Sequence, residues 1–242
     1  MTSAYPSPNL PSASPRLALL ALLILVPMPS IGTAGAMVFE ATAGTPLGQA
    51  LYSLAKVGLL LFPLVWFLKA EGGKMQVPSW DGRGLGLGIA SGLVISAIIV
   101  GAYLLLGPAS IDPATVQAAA AKSGLDNRMV FFGLATYICL VNAPLEEYVW
   151  RWFVYRQCET LVAKPAAVVL AALFFTVHHV VALSVQFDLL VTALCSLGVF
   201  VGGCIWSWFY ARYRSVWPGT VSHIIVDVAI FWVAYQLIFG AG

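Results

Sequence analysis

The chain has 242 residues, of which 60% are hydrophobic and only 9% charged. A soluble domain carries about 25% charged residues, so this composition excludes an ordinary soluble fold. A net charge of +2 is too small for a nucleic-acid footprint.

The four cysteines, Cys139, Cys158, Cys195 and Cys204, form no CxxC pair. They imply neither a disulfide framework nor a zinc knuckle, and read as small apolar fillers. Apolar runs of about 20 residues recur along the chain, the length that spans a bilayer. The expected fold class is therefore all-α: a polytopic transmembrane helix bundle of about seven spans.

In chain order, residues 1–16 are rich in Pro, Ser and Ala and read as a disordered leader. Leu17 to Phe39 is the first apolar run. Ala34-Gly35-Ala36 resembles a signal-peptide cleavage site, but the leader is long and holds one basic residue, so an uncleaved first span is preferred. The second span covers Leu47–Leu68 and contains Lys56, read as a snorkelling or helix-packing side chain. Residues 69–84, with Gly72-Gly73 and Pro78, read as a loop. A third span, Leu85–Leu106, ends before Gly107-Pro108. A short exposed helix over Asp112–Lys122 follows, capped by Asp112.

Four more spans complete the chain: Arg128–Tyr155, Ala163–Leu183, Val185–Trp208 and Val216–Phe239. Gly198, Gly202 and Gly203 in the sixth are small residues that let helices approach. Residues 17–127 thus supply the N-terminal spans and loops, and residues 128–242 the second part of the same membrane domain. Lys69, Lys74 and Arg83 follow span two, Arg156 and Lys164 span four, and Arg212 and Arg214 span six, with Lys122 and Arg128 as exceptions. The positive-inside rule then puts the N-terminus in the cytoplasm.

The second part of the chain is organised around Asn142-Ala-Pro-Leu-Glu-Glu-Tyr-Val-Trp-Arg151. Each charge in hydrocarbon costs roughly 3 kcal/mol on insertion scales, so intramembrane ionisable groups are functional candidates by default. On an α-helix Glu147 and Arg151 share a face and can pair. This leaves Glu146 as the carboxylate without a committed cation, the condition for a general base. Pro144 disfavours helix at Ala143, and Asn142 is placed to cap a helix restarting there. Trp150, Trp152 and Phe153 read as packing or lipid-facing aromatics.

All three histidines, His178, His179 and His223, fall inside expected spans, and Asp227 shares a helix face with His223. No GxSxG serine motif and no HExxH helix is present. A carboxylate and a histidine can orient and deprotonate a water, while a second imidazole and a polar neighbour donate to the oxyanion. That chemistry is amide hydrolysis without a covalent intermediate. Glu146, two histidines and Asp227 also suffice in principle to hold zinc.

Glu146-Glu147-xxx-Arg151, then Phe175-xxx-His179, then His223-xxx-Asp227 resembles the three motifs of the CAAX-processing and bacteriocin-processing (CPBP, or Abi) family. These are intramembrane glutamic endopeptidases related to the type II CAAX prenyl protease. The resemblance covers about residues 128–235. It implies that Glu146 activates the attacking water, with His179 helping to hold it. It further implies that His223 and position 227 form the oxyanion site and that Glu147 and Arg151 organise the motif. The family pattern more often has Asn at 227, and an ionised Asp227 cannot donate a hydrogen bond. Asp227 is therefore either protonated or an orienter of His223. His178 follows Phe174 at the same spacing as His179 follows Phe175, and is the alternative to His179.

The resemblance implies no cofactor. Membrane lipid and a membrane-tethered protein or peptide, such as a prenylated or C-terminal sorting tail, are the expected partners, and a prokaryotic inner membrane the expected location. A metal-dependent protease built from the same residues and a non-catalytic immunity or transport protein are the competing readings.

Overall fold

A computed structural model describes residues 14–74 and 82–240. The helices in chain order are α1 (Pro15–Leu25), α2 (Pro27–Met37), α3 (Pro46–Lys69), α4 (Leu85–Ser110), α5 (Pro113–Lys122) and α6 (Arg128–Tyr137). Then come a π-helical turn (Ile138–Asn142), α7 (Ala143–Glu147), a second π-helical segment (Tyr148–Tyr155), α8 (Arg156–Leu161), α9 (Lys164–Ser184), α10 (Leu189–Tyr213) and α11 (Trp217–Phe239). No strand occurs among the described residues. Seven helical stretches are long and apolar enough to cross a membrane, and the protein is an all-α polytopic membrane protein.

Helix starts follow capping chemistry. Ser14, Thr45, Asp112 and Asp188 each accept a backbone N–H of the first turn, and the first three are followed by Pro at N1, where a missing N–H costs nothing. The leader expected over 1–16 lies outside the described residues up to 13, and α1 begins at Pro15. The loop expected over 69–84 lies outside them at 75–81.

Several boundaries move. α4 runs through Pro108 to Ser110. The sixth span starts at Leu189, not Val185, where Asp188 caps it. The fourth span continues past Tyr155 to Leu161. Its 34 residues exceed the roughly 20 needed to cross hydrocarbon.

Asn142 caps no restarting helix, since its backbone lies inside the first π turn. Pro144 has no N–H, and its ring would clash with the carbonyl four residues back. The wider turn absorbs this, with the Ala143 N–H donating to the Ile138 carbonyl five residues back.

The chain forms two compact units. One comprises Met1–Gly82 and Tyr148–Val216, the other Arg83–Glu147 and Trp217–Gly242. In the first, α9 packs on α10, α2 on α3 and α9, and α1 on α8. Of the glycines in the sixth span, Gly203 makes the close approach: a Cβ on it would lie 3.2 Å from the Ala172 Cβ, whereas a Cβ on Gly198 would meet nothing within 4 Å. One nearly buried and one half-buried ion pair tie helix ends together. Glu71, whose side chain is fully buried, accepts from Arg156 Nη2 at 3.0 Å and Gln157 Nε2 at 2.7 Å. Glu159 takes Arg214 in a two-pronged contact, 2.6 Å on each side.

In the second unit, α4 packs along α11. A Cβ on Gly88 would run into the Pro218 carbonyl, and one on Gly92 would lie 3.0 Å from both the Ser222 carbonyl oxygen and the Ile225 Cβ. Ser91 Oγ donates to Ser222 Oγ at 3.0 Å, and Ser96 Oγ to the Ile225 carbonyl at 3.1 Å. α5 docks on α11, where Gln117 Nε2 satisfies the Leu237 carbonyl at 3.2 Å.

Candidate active site

In the second unit, α7 and α11 bring three candidate carboxyl groups around one imidazole. Helical Glu146-Glu147 presents two carboxylates in sequence, and α11 places His223 and Asp227 one turn apart. His223 Nδ1 lies 3.1 Å from Glu147 Oε1. Its Nε2 lies 3.8 Å from Glu146 Oε2 and 3.8 Å from Asp227 Oδ1. Glu147 is fully buried, and His223 and Asp227 nearly so. Such groups are tolerated in apolar surroundings only when they satisfy one another.

The scaffold beneath them explains the placement. Glycines 88 and 92 let α4 lie close against the stretch of α11 that carries Ser222 and His223. The Ser91–Ser222 hydrogen bond then fixes α11 immediately before His223. Ser91, Ser222 and the two glycines were not singled out in the sequence, although Gly84-xxx-Gly88-xxx-Gly92 is a small-residue repeat that could have marked the close approach.

In the first unit, the Arg151 guanidinium is buried over the Phe175 ring at 4.5 Å and the Trp206 ring at 5.1 Å, a cation–π arrangement that suits a charge away from water. Trp206 carries no motif signal of its own. The segment bearing Arg151 is π-helical from Tyr148 to Tyr155. His179 Nδ1 donates to the Phe175 carbonyl at 3.0 Å. A carbonyl only accepts, so in the neutral ring the lone pair sits on Nε2. His178 stacks on Trp150, with centroids 5.3 Å apart and planes 8° from parallel. Trp150 and Phe153 are buried packing residues, while Trp152 stacks with Tyr148. The cysteines are all free thiols.

Among the described residues, seven apolar spans and the carboxyl groups about the buried His223 define a polytopic membrane protein with ionisable groups held inside its spans. Residues 128–229 match the family described as type II CAAX prenyl endopeptidase Rce1-like, so this segment is similar to the CAAX-processing (CPBP) proteases. That likeness is to CAAX-type intramembrane proteases, a class of hydrolases. No curated protein and no solved structure matches the chain.

Proposed function

We propose that this protein is a glutamic-type intramembrane endopeptidase that cuts a membrane-tethered peptide with a water activated by Glu146. The observation that carries this reading is the crowding of Glu146, Glu147 and Asp227 around His223 in a segment similar to a family of proteases. Glu146 takes a proton from the water, and the hydroxide attacks the scissile carbonyl. His223 and Asp227 receive the oxyanion. The proton on Glu146 then passes to the departing amine, so the C–N bond breaks with protons balanced and no enzyme-bound intermediate.

The assignment of His179 to the water rests on the motif order and on its Nε2 acceptor, with His178 as the stacked neighbour. Glu147 and Arg151 organise the motif. An Asp227 that carries a proton donates to the oxyanion, and an ionised one orients His223. The substrate class is a protein or peptide held at the membrane, such as a prenylated or C-terminal sorting tail. The protein works in lipid, in this reading in a prokaryotic inner membrane with its N-terminus in the cytoplasm.

The test compares the termini of membrane proteins by mass spectrometry in cells expressing wild type, Glu146→Gln or no protein. New termini that appear with wild type alone support the reading. Termini that persist with Glu146→Gln sink it. Cleavage of the substrate so found that withstands strong chelation separates water activation by Glu146 from a metal-dependent mechanism.

A further inference from the structure

We propose that Glu147 is a positioning residue for His223: it holds the imidazole with a proton on Nδ1 and so makes Nε2 the working nitrogen. The geometry stands by itself, and the catalytic consequence rests on the protease reading above.

The Glu147 side chain is fully buried and Oε1 lies 3.1 Å from His223 Nδ1. In the proposed arrangement Glu147 accepts, so the hydrogen of this bond belongs to Nδ1. The ring nitrogen that holds the proton is set by the bond its partner makes, as outer-shell carboxylates do for metal-bound histidines. Nε2 is then left facing Glu146 and Asp227, 3.8 Å from an oxygen of each. Two carboxyl groups thus stand near this nitrogen, which suits a group that must gain a proton or donate one as the oxyanion forms.

His179 in the other unit shows the same device by different means, its Nδ1 bonded to the Phe175 carbonyl. Both histidines are therefore committed through Nδ1 and work through Nε2. This gives Glu147 a task that its neighbour Glu146 does not share. The adjacent acids divide the work: one meets the water and the other sets the ring that meets the oxyanion.

The chain has only three histidines, so ¹⁵N-histidine labelling of the full-length protein in lipid nanodiscs gives three ring spectra. His178→Phe and His179→Gln identify two of them. The expected result is a proton on His223 Nδ1 in wild type, with or without a second on Nε2. Glu147→Gln, whose amide oxygen still accepts, keeps that proton on Nδ1, and Glu147→Leu moves it to Nε2. A wild-type His223 protonated on Nε2 alone, or a spectrum indifferent to Glu147→Leu, overturns the proposal. Should Glu147→Leu fail to fold, the Nδ1 resonance in Glu147→Gln decides: it shifts if the bond exists and stays if it does not.

On an identified substrate, kcat for Glu147→Leu is expected to fall about 10–100-fold, the range for outer-shell partners, with KM little changed and substantial rescue by Glu147→Gln. Wild-type kcat in a Glu147→Leu enzyme with a displaced proton overturns the catalytic consequence. The spectra need no substrate, so failure to find any cleavage would count against the protease reading and leave the ring assignment decided separately.

Discussion

His223 Nδ1 meets Glu147 Oε1 at 3.1 Å, joining the last residue of α7 to the middle of α11. The contact turns the other ring nitrogen toward Glu146 and Asp227. Glu146→Gln preserves the size of the side chain and leaves the Glu147–His223 bond in place, but an amide cannot take a proton from water. Peptide cleavage in reconstituted vesicles is expected to drop about 10²–10⁴-fold, the usual contribution of a general base. Unchanged elution and circular dichroism would show that the fold persists.

The paired histidines separate by their surroundings. His178 stacks flat on Trp150, a role that a phenyl ring can fill. His178→Phe is expected to cleave substrate near the wild-type rate, whereas His179→Gln loses about 10²-fold or more. Equal losses in the two variants would assign His178 a chemical part as well.

Close helix contact in the second unit depends on missing side chains. Gly92→Leu must displace the Ser222 backbone and the Ile225 side chain, an overpacking that costs about 1–3 kcal/mol. Gly198→Leu meets open space and is expected to be silent. Thermal unfolding in detergent measures both, and equal melting temperatures would contradict the contact.

Glu71 sits in what reads as a loop, yet its side chain is fully buried between Arg156 and Gln157. Removing one member of a buried ion pair leaves the other charge uncompensated and costs about 3–5 kcal/mol. Glu71→Ala is expected to lower stability on that scale, seen as a large loss of detergent-resistant protein. Glu71→Gln should lose less, because the amide oxygen still accepts a hydrogen bond.

Asp112 caps α5 outside the spans. Its carboxyl is held below its ordinary value, first by the Thr115 hydroxyl and then by the Ala114 N–H. A lowered folded value means that the cap contributes fully above the ordinary carboxylate range and is lost as pH falls through the lowered value. The protection of α5 amides, measured against their intrinsic exchange rate at each pH, should therefore fall at acid pH. In Asp112→Ala it should be low at every pH, and a wild-type profile in that variant would remove the cap from the account.

The seven spans were legible because a bilayer imposes one requirement on every crossing segment: enough consecutive apolar residues to pair the backbone within itself. The start of α5 at Asp112 and the candidate residues Glu146, Glu147, Arg151, His178, His179, His223 and Asp227 were legible for a related reason, since polar groups are conspicuous where hydrocarbon penalises them. Other features depended on neighbours distant in the sequence. The π turns at Ile138–Asn142 and Tyr148–Tyr155 follow from how one strained helix is accommodated, and hydropathy does not register backbone register. Gly88 and Gly92 mattered more for close packing than Gly198, because another helix lies against them. Glu147 found its hydrogen-bond partner 76 residues away in His223. Spacing along a helix orders a residue's own face, but only the packed chain decides which atom arrives opposite it.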